Sequence, residues 1–197
     1  MERIQLTEEL SFSRVIHGLW RLNEWNMTAQ ERLELIEQCL ALGITPFDHA
    51  DIYGDYTNEG LFGEALALKP ELRERMEIVT KTGIKMKGNH FSDQKLSFYD
   101  TTKQHIIEQA TRSLKELGVD YIDTLLIHRP DPLMDPNEIA EAFVELKESG
   151  KVRTFGLSNH TPAQQSLIQS RLPFMLVTNQ LELSVAELKH FEDGSVD

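Results

Sequence analysis

The sequence is short of cysteine: Cys39 is the only one among 197 residues. One thiol cannot close an internal disulfide, so packing and hydrogen bonding must hold the chain together, and a reducing compartment fits. Cys39 falls on a helical pattern and reads as a small buried residue. Basic side chains are scarce too. Twenty Lys and Arg stand against 32 Asp and Glu, a formal net charge of -12. Phosphate neutralisation needs clustered cations, so neither nucleic acid nor an anionic membrane surface is an expected partner. No apolar run approaches transmembrane length, and the opening MERIQLTEEL alternates charge with apolar residues. The expectation is a cytoplasmic protein.

Hydrophobic residues make up 40% of the chain, enough to bury a sizeable core in a single domain over 1–197. Four helices are marked by their ends. Thr28 and Glu31 form a capping box ahead of the periodic run 31–42, and Gly43 suits the position just past its end. Residues 101–117 carry Ile106, Ile107, Ala110 and Leu114 on one face and stop at Gly118. Asp135 with Pro136 opens a helix ending at Gly150, and Thr161 with Pro162 opens another. Between them lie apolar runs at 15–20, 45–48, 77–81, 122–128, 152–158 and 175–180. Several are apolar almost throughout, as strands covered on both faces are. Strand and helix therefore alternate from residue 15 in stacked βαβ units, with residues 1–14 as an N-terminal hairpin and the polar stretch 85–99 as a surface loop.

Polar residues close these strands. Asp48, Lys81, His128, Ser158 and Gln180 each fall at a strand's C-terminal end, where β/α barrels and open α/β sheets carry their ligands. Tyr53 follows Asp48 by five residues. A phenol titrates at about 10 and is a poor acid at neutral pH. A neighbouring Lys81 ammonium is expected to lower that value, with Asp48 holding the ammonium in place. His128 can donate to the same substrate oxygen. The four together make a proton donor and a small oxyanion hole for a carbonyl becoming an alkoxide. Hydride must come from a nicotinamide, since no side chain supplies it.

These residues sit in recognisable stretches: HGLW at 17–20, FDHADIYG at 47–54, NEGLFG at 58–63, VTKTG at 79–83, LLIHRPDP at 125–132, KVRTFGLSN at 151–159 and TNQLE at 178–182. In that order they resemble the aldo-keto reductase family over essentially the whole chain. The resemblance implies a parallel (β/α)8 TIM barrel, of which about six of eight units are present. It implies a catalytic tetrad of Asp48, Tyr53, Lys81 and His128, with Tyr53 as proton donor. Ser158, Asn159 and Gln180 would bind the nicotinamide carboxamide, and Asp48 with the backbone at Gly18 and Leu19 would lie near its ribose. Trp20, beside Tyr53 and His128, would line the pocket for a small-molecule carbonyl substrate. NADP(H) is expected ahead of NAD(H).

A complete barrel of this type needs about 250 residues or more. The expectation is a piece or truncated product of a longer reductase with little activity of its own. A nicotinamide-binding regulatory module on the same scaffold is the alternative. A metal-dependent hydrolase using Asp48, His49, Asp51 and His128 is a third reading, with no metal site expected because ligand spacing does not recur. Glu59 reads equally as a cofactor contact or a helix cap. Substrate identity and oligomeric state are not legible.

Overall fold

The computed structural model describes residues 1–88 and 90–192. An antiparallel hairpin of β1 (Arg3–Gln5) and β2 (Ser11–Ser13) precedes a β/α series. The series runs β3 (His17–Gly18), α1 (Ala29–Ala41), β4 (Pro46–Asp48), α2 (Asn58–Leu66), β5 (Glu77–Thr82), β6 (Ile84–Lys85), β7 (Phe98–Tyr99), α3 (Lys103–Leu117), β8 (Ile122–Ile127), α4 (Pro136–Glu148), β9 (Val152–Ser158), α5 (Pro162–Gln169), β10 (Asn179–Gln180) and α6 (Lys189–Glu192). Six of these strands form one parallel sheet in the order β10-β9-β8-β5-β4-β3. Neighbours in the sheet are consecutive units of the series, so the sheet curls as a barrel wall does, with helices on its outer side. Part of the C-terminal tail, 193–197, lies outside the described residues.

The helix ends follow their local chemistry. Thr28 Oγ1 accepts from the Glu31 amide at 3.2 Å and the Glu31 carboxylate accepts from the Thr28 amide at 2.7 Å. Thr161 and Gln164 repeat the box, and the Asp135 side chain accepts from the Asn137 amide ahead of Pro136. Gly43, Gly118 and Gly150 take positive φ of 77°, 67° and 72° just past α1, α3 and α4, a conformation glycine adopts without a Cβ penalty.

Strand alternation divides the core. Outward residues of β4, β5, β8 and β9 (Phe47, Ile78, Leu125, Phe155) pack under the helices, in one cluster with α1 and α2 and another with α3, α4 and α5. Inward residues are few: Val79 and Leu126 meet Leu10 and Phe12 of the hairpin, which plugs the arc from its N-terminal end.

Three expectations need correction. The stretch 85–99 is not loop throughout: Ile84 pairs with Tyr99 and Lys85 with Phe98 as an antiparallel ribbon. The runs 15–20 and 175–180 shrink to two-residue strands, because β3 and β10 stand at the sheet's edges with one neighbour each. A helix no cap announced, α2, lies between β4 and β5. Gly60 and Gly63 weaken its local signal, but a Cβ at Gly63 would lie 2.1 Å from the Glu116 carbonyl oxygen, so the glycine lets α2 approach α3.

Candidate active site

In a parallel strand, residues two apart share a face. Val79 and Lys81 of β5 therefore both point inward, as do Leu126 and His128 at the end of β8, and Gly156 and Ser158 on β9. Asp48 pairs with Val79 in register, so Lys81 stands one step further along the rim. Its Nζ donates to Asp48 Oδ1 and Oδ2 at 2.8 and 2.7 Å, to the His49 carbonyl oxygen at 2.8 Å and to Tyr53 Oη at 3.1 Å. The rings of Tyr53 and His128 meet edge-on, with centroids 5.8 Å apart. Carboxylate, ammonium, phenol and imidazole thus surround one small volume. They open into a cleft of about 490 Å³ that also holds Trp20, Ser158, Asn159 and Gln180.

Tyr53 reaches Lys81 because the chain reverses immediately after it. Gly54, Asp55 and Tyr56 take consecutive positive φ of 62°, 53° and 68°. For the two non-glycine residues this costs about 1 kcal/mol or more each. Tertiary contacts hold the turn: Arg112 donates to the Tyr56 carbonyl at 2.7 Å, Thr57 Oγ1 to the Gly54 carbonyl at 2.6 Å, and Tyr56 Oη bridges the Ile84 carbonyl and the Met86 amide.

Electrostatics at the rim depart from expectation in one respect. Tyr53's phenol is raised above its ordinary value, not lowered: burial dominates, Lys81 pulls down against it, and Asp48 pushes up. The phenol is thus a firmly protonated hydroxyl beside a cation ready for the phenolate. His128 is lowered to about 3, by burial first and then by the charges of Lys81 and Arg129. At neutral pH it is an uncharged imidazole, able to donate one hydrogen bond.

Placement of the other expected residues is mixed. Ser158 is buried; Asn159, in the left-handed region at φ 57°, donates to Ser158 Oγ at 3.1 Å and accepts from the Glu182 amide at 2.9 Å. Gln180 Nε2 donates to Asp48 Oδ1 at 3.3 Å. A hydroxyl and primary amides supply both donors and acceptors, which is what a carboxamide requires. Gly18 pairs with Asp48 across the strands and has nothing within 4 Å of a built Cβ. Leu19 turns its side chain into the core, and its N–H is spent on the Asp48 carbonyl oxygen, so neither of these two lines the cleft. Trp20 does, at 65% exposure, with the Arg21 guanidinium 5.2 Å from its ring centre. Besides the apolar Ile52, Ile84 and Leu181, the cleft holds two charged residues that sequence reading passed over. Arg129 and Glu182 form an ion pair at 3.4 Å on its wall. The only signal for Arg129 was its place directly after His128.

The residues of the hydrolase reading fall on opposite faces. Asp48 and His128 point inward, while His49 packs edge-on against Phe62 behind the sheet, centroids 4.6 Å apart. Among the described residues no group of three or more His, Cys, Asp or Glu is arranged to hold a metal ion. Glu59 neither caps its helix nor enters the cleft: it is buried and accepts from Thr80 Oγ1 at 2.6 Å.

Asp51 shares that buried layer. Burial, reinforced by the charge of Glu59, holds its carboxyl well above the ordinary range. A carboxyl raised in the folded state adds stability that is complete below its unfolded value and is lost as pH rises through the folded one. Asp51→Asn should therefore be at least as stable as the parent at neutral pH, with its melting temperature falling less steeply as pH rises above the carboxylate range. His49, lowered to about 3 mainly by burial, acts oppositely on the acid side, so the comparison is parent against variant at each pH. A variant that melts lower at neutral pH would show the carboxylate to be ionised and paired.

Comparison with known proteins agrees with this geometry. The family model of the Aldo/keto reductase family matches residues 14–194. The chain is 58% identical over 197 residues to the uncharacterized oxidoreductase YcsN of Bacillus subtilis, covering 100% of this chain and 66% of that one. It is 44% identical to a 6-dehydroglucose reductase of Agrobacterium fabrum, with the same coverage of 100% and 66%. It therefore spans just under two thirds of those relatives' length. The glycerol dehydrogenase of Gluconobacter oxydans superposes with a TM-score of 0.81 at 30% identity, over 97% of this chain and 58% of that structure. The six-stranded arc is the corresponding part of a (β/α)8 barrel, and the chain belongs to the aldo/keto reductase family.

Proposed function

We propose that this site reduces the carbonyl of a small molecule to an alcohol, using a reduced nicotinamide cofactor. The observation that carries the reading is the placing of Tyr53 Oη 3.1 Å from a Lys81 ammonium that is held by both oxygens of Asp48. When bound, the cofactor supplies the hydride; everything else falls to this chain. Tyr53 donates its proton to the carbonyl oxygen as negative charge develops there. Lys81 stabilises the phenolate left behind, and Asp48 keeps that ammonium oriented. His128, neutral at working pH, donates a hydrogen bond to the same oxygen and fixes the carbonyl's orientation. Ser158, Asn159 and Gln180 would hold the cofactor's carboxamide. NADP(H) ranks ahead of NAD(H) on family resemblance, and the ratio of their dissociation constants decides it.

For the substrate, a polyhydroxylated carbonyl is the class we put forward. Relatives named for 6-dehydroglucose and glycerol support it. So does the cleft wall, where Trp20 offers a flat apolar ring, Arg129 donors and Glu182 acceptors. Replacing Arg129 with Met should raise KM for glyceraldehyde clearly more than for propanal, and equal changes for both would remove the polyol assignment.

Carbonyl-dependent oxidation of the reduced cofactor tests the main reading. A chain that binds the cofactor but consumes none with any aldehyde or ketone, even when a longer chain carrying the remaining barrel units is assayed, would be the regulatory module instead.

A further inference from the structure

Asn58 opens α2 and is fully buried, yet its side chain serves nothing in its own helix. Nδ2 donates to the carbonyl oxygens of Leu19 and Trp20, both at 2.9 Å. Its backbone N–H donates to the carbonyl oxygen of Tyr53 at 3.2 Å. The Leu19 N–H in turn donates to the Asp48 carbonyl oxygen at 3.0 Å. The segment bearing Trp20 is therefore tied on one side to the strand end that carries Asp48, and on the other, through one residue, to the turn that carries Tyr53. Gly54 completes the arrangement: a Cβ there would lie 2.0 Å from Asn58 Oδ1, so the amide is seated against a bare Cα.

We propose that Asn58 is a positioning residue that sets the distance between the Trp20 wall of the cleft and the Tyr53 hydroxyl. It touches no reacting atom; it acts through the two segments it joins. The side-chain chemistry is demanding. Two carbonyl oxygens on adjacent residues need two N–H donors from one short, uncharged group, which a primary amide provides. A carboxylate there would face two carbonyl oxygens, a hydroxyl has a single donor, and glutamine would add a methylene to a filled site. The inference rests on the reductase reading only in calling this cleft the substrate site.

The test uses a Trp25→Phe background, so that Trp20 is the sole tryptophan. Asn58→Ala should increase the amplitude of fast local motion of Trp20, read by time-resolved fluorescence anisotropy well below the melting temperature. KM for the carbonyl substrate should rise several-fold while kcat changes much less. Gly54→Ala, which drives a methyl group into Oδ1, should loosen Trp20 in the same way. Combined with Asn58→Ala it should loosen Trp20 no further than Asn58→Ala does alone. An Asn58→Ala protein that melts earlier, with Trp20 motion and KM unchanged, would overturn the proposal and leave Asn58 a packing residue. Should that variant not fold, nuclear magnetic resonance of the unmodified protein decides. The Asn58 side-chain amide protons are expected to exchange slowly and to lie close to Leu19 and Trp20; rapid exchange overturns the proposal. Failure of the reductase reading would look different, with no cofactor consumed by the unmodified chain while the anisotropy result stands.

Discussion

Replacing Tyr53 with phenylalanine should lower kcat/KM for an aldehyde by roughly 10²–10⁴, the usual worth of a positioned general acid. That corresponds to about 3–5 kcal/mol of barrier. The dissociation constant of the reduced cofactor should barely change, because the Tyr53 hydroxyl bonds to Lys81 and takes no part in the hydrogen bonds of Ser158, Asn159 and Gln180. Stability should fall by no more than about 1 kcal/mol, a typical net value for one hydrogen bond. Lys81 keeps both oxygens of Asp48 and the His49 carbonyl oxygen as acceptors when the phenol is gone. Steady-state kinetics beside a binding titration separates these effects. A variant that still reduces its substrate at the parental rate would move the proton donor elsewhere. His128 is a poor candidate for that role, since its imidazole is lowered to about 3 and carries no spare proton at neutral pH.

Lys81→Met should be the most damaging single change for the fold at this rim. Lys81 is 2% exposed and Asp48 is 8% exposed. The methionine fills much the same volume but leaves the Asp48 carboxylate buried without its cation, its remaining contact being Gln180 Nε2 at 3.3 Å. Breaking a buried ion pair from one side costs about 3–5 kcal/mol, most of it the penalty of the stranded charge. Removing both charges together should cost less. The double variant Asp48→Asn/Lys81→Met is therefore expected to be more stable than Lys81→Met alone, an inequality that simple loss of contacts would not produce. Chemical denaturation of the parent, Lys81→Met, Asp48→Asn and the double variant measures it. A loss below about 1 kcal/mol for Lys81→Met would mean that water already solvates Asp48.

Reduction should vanish with Lys81→Met as well, so activity alone cannot separate a chemical role from a structural one. The separation comes from pairing the variants. Tyr53→Phe is expected to lose most of its turnover in a stable protein, whereas Lys81→Met should lose both turnover and stability.

Much of the architecture was legible residue by residue. Helices α1, α3, α4 and α5 were announced by Thr28, Gly118, Asp135 with Pro136, and Thr161 with Pro162, all of which act within one turn of the chain. Central strands β5, β8 and β9 were legible as apolar runs with both faces covered. What escaped depended on partners distant in sequence. The glycines of α2 look like helix breakers until Glu116 of α3 is seen against Gly63. The ends of 85–99 pair with each other rather than obeying a local pattern. Strands β3 and β10 read longer than they are because apolar character does not reveal which strand lacks a second neighbour.

The site divides the same way. Asp48, Lys81 and His128 could be picked out because strand ends on one rim of a parallel sheet must converge, whatever their separation in the chain, and Tyr53 by its place in the FDHADIYG stretch that carries the family resemblance. The direction of the Tyr53 shift could not, since burial and the Lys81 charge oppose each other and only the depth of the ring decides between them. Nor could the bonds of Asn58 to residues 38 and 39 positions earlier, or the meeting of Arg129 with Glu182 on the cleft wall. The sequence by itself determined where helices begin and end, which strands are covered on both faces, and which polar residues share a rim, because caps, turns and alternation are short-range consequences of backbone geometry. Tertiary structure alone decided the edge strands, the protonation balance at Tyr53 and the clamp on Trp20, because each depends on distances that exist only after the sheet has curled.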